Sequence, residues 1–143
     1  MNMSELGRAG PHEPIEVDQG ACVVVLDDDI VMGTLMEAIF TKMGLVVHRF
    51  TSGPEALAAL ADIGRAYALL VTDLSMPAMS GYEVCAAAAA LRPGLPSIVV
   101  SGDFNHRGAL GPAHAGIAAL VSKRHAWATL NDLVVVRSGH GLQ

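Results

Sequence analysis

Asp27, Asp28 and Asp29 follow directly on the apolar run Cys22-Val23-Val24-Val25-Leu26, and Asp73 follows directly on Ala68-Leu69-Leu70-Val71-Thr72. If these runs are neighbouring strands, about 4.8 Å apart, three or four carboxylates converge on one small pocket. Their mutual repulsion raises some of the pKa values unless a cation neutralises them, and hard oxygen ligands with room for water suit magnesium. A lone acid after a strand is ordinarily the N-cap of the next helix, and Asp29 fits that role. Capping does not explain acids arriving from two separate runs. Ser101 follows the run Ser97-Ile98-Val99-Val100, and Lys123 follows Ala119-Leu120-Val121-Ser122, which adds a hydroxyl and an ammonium at the same kind of position. Acids, a metal ion, a hydroxyl and a cation suit phosphoryl transfer. A carboxylate acts as nucleophile, metal and ammonium balance the charge, and the hydroxyl donates to a phosphoryl oxygen.

The elements that must position these residues alternate along the chain. Cys22 to Leu26 has the continuous β-branched character of a strand covered on both faces. Met32, Leu35, Met36, Ile39 and Met43 then recur at helical spacing, with Gly44 as the stop. A short strand near Val46 to Phe50 leads to Ser52-Gly53-Pro54-Glu55, which has the spacing of a helix start. A strand at 68–72, a helix from Tyr82 to Leu91 ended before Pro93 and Gly94, and a strand at 97–100 follow. A weak helical stretch near Arg107 to Ala115, a strand at 119–122 and a last helix near Trp127 to Val136 complete five βα units. Such alternation predicts an α/β, doubly wound, five-stranded parallel sheet with helices on both faces. Ligands of such sheets bind beyond the carboxyl ends of the strands, where the four candidate positions fall. Residues 1–20 carry Gly, Pro, Glu and Asp without a sustained apolar period and are expected to be a flexible extension, with the domain at 21–137 and a tail at 138–143.

Composition narrows the function. The chain has 143 residues, 52% of them apolar and 16% charged, enough for the core of one compact domain. A formal charge of -5 repels a phosphate backbone, and 4% aromatic content offers no base-stacking platform, so direct nucleic-acid binding is not expected. No apolar run is long enough to span a bilayer and no signal pattern opens the chain, which predicts a cytoplasmic protein without membrane contact. Cys22 and Cys85 lie in apolar segments and read as reduced thiols. His12, His48, His106, His114, His125 and His140 lack metal-ligand spacing.

From Val23 to about Val136 the chain resembles the receiver domain of two-component response regulators. Val25-Leu26-Asp27-Asp28-Asp29 is similar to the family's acidic pair, Leu70-Val71-Thr72-Asp73-Leu74-Ser75-Met76-Pro77 with Gly81 to its phosphoacceptor segment, and Val99-Val100-Ser101-Gly102 to its switch segment. Lys123 matches the family lysine. The resemblance implies the flavodoxin-like (βα)5 receiver fold, with strand order 2-1-3-4-5. It implies that Asp73 accepts a phosphoryl group from a histidine kinase or phosphotransfer protein. It further implies that Asp28 ligates magnesium directly, Asp27 through water, and that Asp73 and the carbonyl of Ser75 complete the protein ligands. Ser101 and Lys123 would hold the phosphoryl oxygens, and a downstream protein target would read the result.

Three departures fall on the family's output face, formed by its fourth helix, fifth strand and fifth helix. Arg124 replaces the usual proline after the lysine, so a trans loop is expected. Leu120 stands where an aromatic switch residue is usual. The stretch Phe104 to Gly116 contains Gly108, Gly111, Pro112 and Gly116, which predicts a short or shifted helix. Receivers pair through this face, so a homodimer there is a family-based possibility. Gly102 either opens the site to solvent or meets a packing need. Met76 and Met79 are candidates for kinase docking. The leading expectation is a phosphorylation-controlled switch, either a single-domain regulator or the receiver of a hybrid histidine kinase, with only self-phosphorylation and self-dephosphorylation as chemistry. The alternative is a pseudo-receiver acting as a phosphorylation-independent interaction module. A small-molecule phosphatase ranks last, because the chain has no room for a cap domain.

Overall fold

The computed structural model describes residues 13–102 and 116–138. Its main sheet is built from β2 (Cys22–Leu26), β3 (Val46–Phe50), β4 (Leu69–Asp73), β5 (Ser97–Ser101) and β6 (Ile117–Ser122). All neighbours are parallel and the order is β3-β2-β4-β5-β6, the reversing order that the family resemblance implies. Helices α1 (Ile30–Lys42), α2 (Gly53–Ala61), α3 (Gly81–Leu91) and α4 (Ala126–Leu133) connect and cover the strands. The stretch expected to be helical at 107–115 lies outside the described residues.

Strand residues alternate between two cores, as a pleat of period two requires. Val23, Val25, Leu69, Val71, Ile98 and Val100 pack with Met36, Ile39, Phe40, Leu130 and Leu133 of α1 and α4. Val24, Leu26, Leu70, Val99 and Leu120 pack on the other face with Ala56, Leu60, Val84 and Cys85 of α2 and α3. Every residue of β4 and β5 is buried, which is why these runs read as continuously apolar.

Local chemistry sets the helix ends. The Asp29 carboxylate accepts from the amides of Val31 and Met32 and starts α1. Gly44, at φ 92°, ends it in the left-handed conformation that a side chain would disfavour. Ser52 Oγ accepts from Glu55 N–H at the start of α2, and Ser80 and Glu83 form a reciprocal capping box on α3. Leu35, expected in the buried stripe of α1, is 38% exposed. It sits about 100° round the helix from Met36, whereas Gly33, Met36, Ile39 and Phe40 cluster on the sheet side.

Two expectations at the chain ends are corrected. Residues 15–18 are not part of a flexible extension: Ile15–Asp18 forms β1, paired in parallel with β7 (Val134–Arg137) as a separate two-stranded sheet. Ile15 and Val17 point into the α1/α4 core, while Glu16 and Asp18 face outward and pair with Arg137. The last helix correspondingly stops at Leu133, not at Val136. Val134, Val135 and Val136 are stiff, β-branched residues, and pairing with β1 outcompetes their weak helix propensity. Residues 1–12 lie outside the described residues.

Glycine at position 81 is required by packing beside the site. A Cβ there would overlap the Asp73 carbonyl oxygen and lie 2.9 Å from Leu74 Cα, and the Gly81 amide donates to the Leu74 carbonyl at 2.7 Å. The chain leaving β4 therefore turns tightly back onto its own end.

Two stability predictions follow from these contacts. Ile15→Ala should lower the unfolding free energy by about 2 kcal/mol or more in urea denaturation, the usual cost of truncating a core isoleucine. A segment outside the core would change it by no more than roughly 0.5 kcal/mol. Gly81→Ala should cost about 1–3 kcal/mol by overpacking, read in the same assay.

Candidate functional site

The acids arrive on adjacent strands because β2 and β4 are neighbours, with Leu26 opposite Thr72. Each strand ends in the candidate residues: Asp27 and Asp28 follow Leu26, and Asp73 closes β4. Carboxylate oxygens of Asp27, Asp28 and Asp73 all lie within 4.8 Å of one another. Lys123, in the 3-10 turn after β6, reaches the same point, with Nζ 3.3 Å from Asp73 Oδ1 and 3.7 Å from Asp27 Oδ2. Ser101 closes β5 in register with Ser122, at the same end of the sheet, and is buried.

Burial makes this cluster electrostatically costly. Asp27 is 1% and Asp73 3% exposed, whereas Asp28 faces solvent. Desolvation raises the Asp27 pKa to about 6. The hydrogen bond from Asp29 N–H and the charge of Lys123 oppose that rise, while Asp73 and Asp28 add to it. Desolvation also raises Asp73, against the Lys123 ammonium and the Ser75 backbone N–H, which donates to its carboxylate. Burial pulls Lys123 down, but the charges of Asp27 and Asp73 outweigh it, and its pKa is raised. Its proton is held by the acids.

The donor set fits a hard divalent cation. Three carboxylates against one ammonium leave two negative charges when all are ionised. Asp27 Oδ2 is buried without a hydrogen-bond partner, while Oδ1 accepts from Asp29 N–H at 2.8 Å. An oxygen held in this way lacks the ligand that would repay its desolvation. Magnesium, which takes a few carboxylates and keeps several waters, suits so open and acidic a rim.

The remaining sequence-stated positions sort by place. Asp29 acts as the N-cap and supplies the amide that orients Asp27. Ser75 is exposed, two residues beyond Asp73. Leu120 is 5% exposed and packed in the α2/α3 core. Arg124 is exposed, and every peptide bond of the described residues is trans, as expected for the loop after Lys123. Among the described residues, the nearest atom to a Cβ at Gly102 would be Lys123 Cδ at 3.8 Å, an ordinary contact. Met76 and Met79 line a cleft of about 170 Å³ with Ser52, Gly53 and Pro77, bordered by Asp28. Burial pushes the Cys85 thiol up to about 11, so it is no nucleophile. Sequence reasoning missed the close approach of Gly81 to Asp73, because spacing alone does not reveal which backbone atoms touch.

Comparison with known proteins agrees with this geometry. The family model "response regulator receiver domain" matches residues 23–135. The C4-dicarboxylate transport transcriptional regulatory protein DctD of Rhizobium meliloti (strain 1021) is 36% identical over 81 residues, 56% of this chain and 17% of that protein. Ethylene receptor 2 of Oryza sativa subsp. japonica is 28% identical over 124 residues, 83% of this chain and 16% of the receptor. The chain thus spans less than a fifth of the length of either relative. Among solved structures, the response regulator TrrA from Thermotoga maritima, in complex with Mg²⁺ and BeF, superimposes with a TM-score of 0.68 at 22% identity, covering 78% of this chain and 94% of that one. No helix among the described residues is long and apolar enough to cross a membrane. With the family model covering most of its length and the parallel sheet in receiver order, the chain belongs to the receiver domains of two-component response regulators.

Proposed function

We propose that this chain is a phosphorylation-controlled switch in which Asp73 accepts a phosphoryl group from a histidine kinase or a phosphotransfer protein. The observation that carries the reading is the meeting of Asp27, Asp28 and Asp73 from two strands with Lys123 from a third. An Asp73 carboxylate oxygen attacks phosphorus, forming an acyl phosphate. The phosphorus–nitrogen bond of the donor phosphohistidine breaks, and its electron pair returns to the imidazole. Asp28 would ligate magnesium directly and Asp27 through water, with Asp73 and the Ser75 carbonyl as the other protein ligands. The bound ion would supply charge neutralisation at the phosphoryl oxygens.

Lys123 draws Asp73 toward the rim and offsets the incoming charge, and Ser101 donates to a phosphoryl oxygen. Hydrolysis of the same acyl phosphate returns the protein to its resting state. Gly102, with Lys123 Cδ the one atom near its missing Cβ among the described residues, would leave water a path to that bond. Downstream, a protein target reads the phosphorylated form.

One observation favours a second reading, in which the domain serves as an interaction module independent of phosphorylation. Leu120 is locked in the α2/α3 core and has no ring to swing between exposed and buried states. The two readings separate on phosphorylation and its consequence for binding.

Incubation with a small acyl phosphate and magnesium should add one phosphoryl mass to the protein, labile to base, and none to Asp73→Asn. Failure of the wild type to gain that mass would leave only the interaction-module reading. Lys123→Ala should retain magnesium binding but lower the phosphorylation rate on the order of 100-fold, the scale of losing one charge-stabilising donor.

The pH dependence has opposite signs with and without metal. Asp27 titrates near 6 in the folded chain against 3.8 ordinarily, so between these values the native state holds the extra proton. In metal-free buffer, the contribution of Asp27 to stability should therefore rise as pH falls from above 6 toward 3.8, read by urea denaturation against Asp27→Asn. Magnesium affinity should fall over the same range, by up to about tenfold per pH unit below 6, because the proton and the metal compete for one carboxylate.

A further inference from the structure

The acidic segment is anchored at both ends by two successive residues of the edge strand β3. The Asp27 amide donates to the Phe50 carbonyl at 3.1 Å, which fixes the strand side. One residue earlier, the Arg49 guanidinium crosses to the first turn of α1. It donates to the Ile30 carbonyl at 3.3 Å, to Thr34 Oγ1 at 3.1 Å and to Glu37 Oε1 at 3.2 Å. Thr34 itself donates to the same Ile30 carbonyl at 2.8 Å, so two side chains, Arg49 and Thr34, are tied to the helix start. Gly33 provides the space: a Cβ there would lie 2.8 Å from an Arg49 terminal nitrogen. Asp28 sits between the two anchors.

We infer that Arg49 is a positioning residue for the divalent-ion site, holding the start of α1 against β3 so that Asp28 is presented beside Asp27 and Asp73. This rests on the reading of those acids as a magnesium site. The planar fork of arginine is needed because its donors reach a carbonyl, a hydroxyl and a carboxylate at once, which an ammonium cannot match.

The sign of the effect separates positioning from charge. Arg49 is a cation on the element next to an acidic cluster, so by electrostatics alone its removal would strengthen binding of a divalent cation. Loss of the anchor weakens it instead. Supporting residues of metal sites ordinarily contribute on the order of tenfold in affinity.

The test compares magnesium titrations by calorimetry of the full chain, its Arg49→Ala and Arg49→Lys variants, and Ile15→Ala as a variant destabilised far from the site. Hydrogen exchange of the amides from Asp28 to Thr34 is followed in parallel without metal. Magnesium binding on the order of tenfold weaker in both Arg49 variants, unchanged in Ile15→Ala, is expected. So is faster exchange confined to that segment in Arg49→Ala. Binding equal to or tighter than wild type in Arg49→Ala, or exchange unchanged at the helix start, would overturn the inference. A wild type that shows no magnesium binding while its exchange responds as expected would overturn the metal-site reading and leave the anchor standing as structure only.

Discussion

The structure turns on carboxylates that the fold forces together at one end of a parallel sheet. Asp27 and Asp73 are almost fully buried and share a pocket with Asp28, an arrangement that like charges resist. Lys123 offsets part of that repulsion by bridging Asp27 and Asp73, and the rest is left as a demand for positive charge. A site with that imbalance suits a divalent cation. The raised pKa values of the two buried acids express the same stored cost.

Much of the surrounding architecture serves to keep those groups where repulsion would not leave them. The Asp29 amide orients Asp27, while the Asp29 side chain starts α1. The turn from Asp73 to Gly81 folds back so closely that only glycine fits against the β4 end. On the outer side, Arg49 ties the helix start to the edge strand. Each device acts on backbone next to an acid, so the main chain is held where the carboxylates meet.

At the opposite end of α4 the chain closes on itself. Strands β1 and β7 join the two ends of the described chain, and Ile15, Val17 and Val134 seal the base of the core between α1 and α4. This two-stranded sheet includes residues 15–18, which precede the segment matched by the family model. The departures at Leu120 and Arg124 lie on β6 and in the turn after it, the same turn from which Lys123 reaches the acids.

Sequence alone determined the elements with strong local periodicity, and it placed the acids together, because residues at the ends of apolar runs in a parallel sheet must share one rim. The meeting of Asp27, Asp28, Asp73 and Lys123 was legible for that reason, as was the capping role of Asp29. Tertiary structure decided what depends on partners distant in the chain. The four residues of β1 alternate apolar and polar too briefly to stand out, and their pairing strand lies more than a hundred residues away. The same pairing turned Val134 to Val136 from helix to strand, since burial against β1 outweighs a weak local preference. Gly81 and Arg49 likewise act through contacts in space, and no spacing in the sequence encodes which atoms those contacts join.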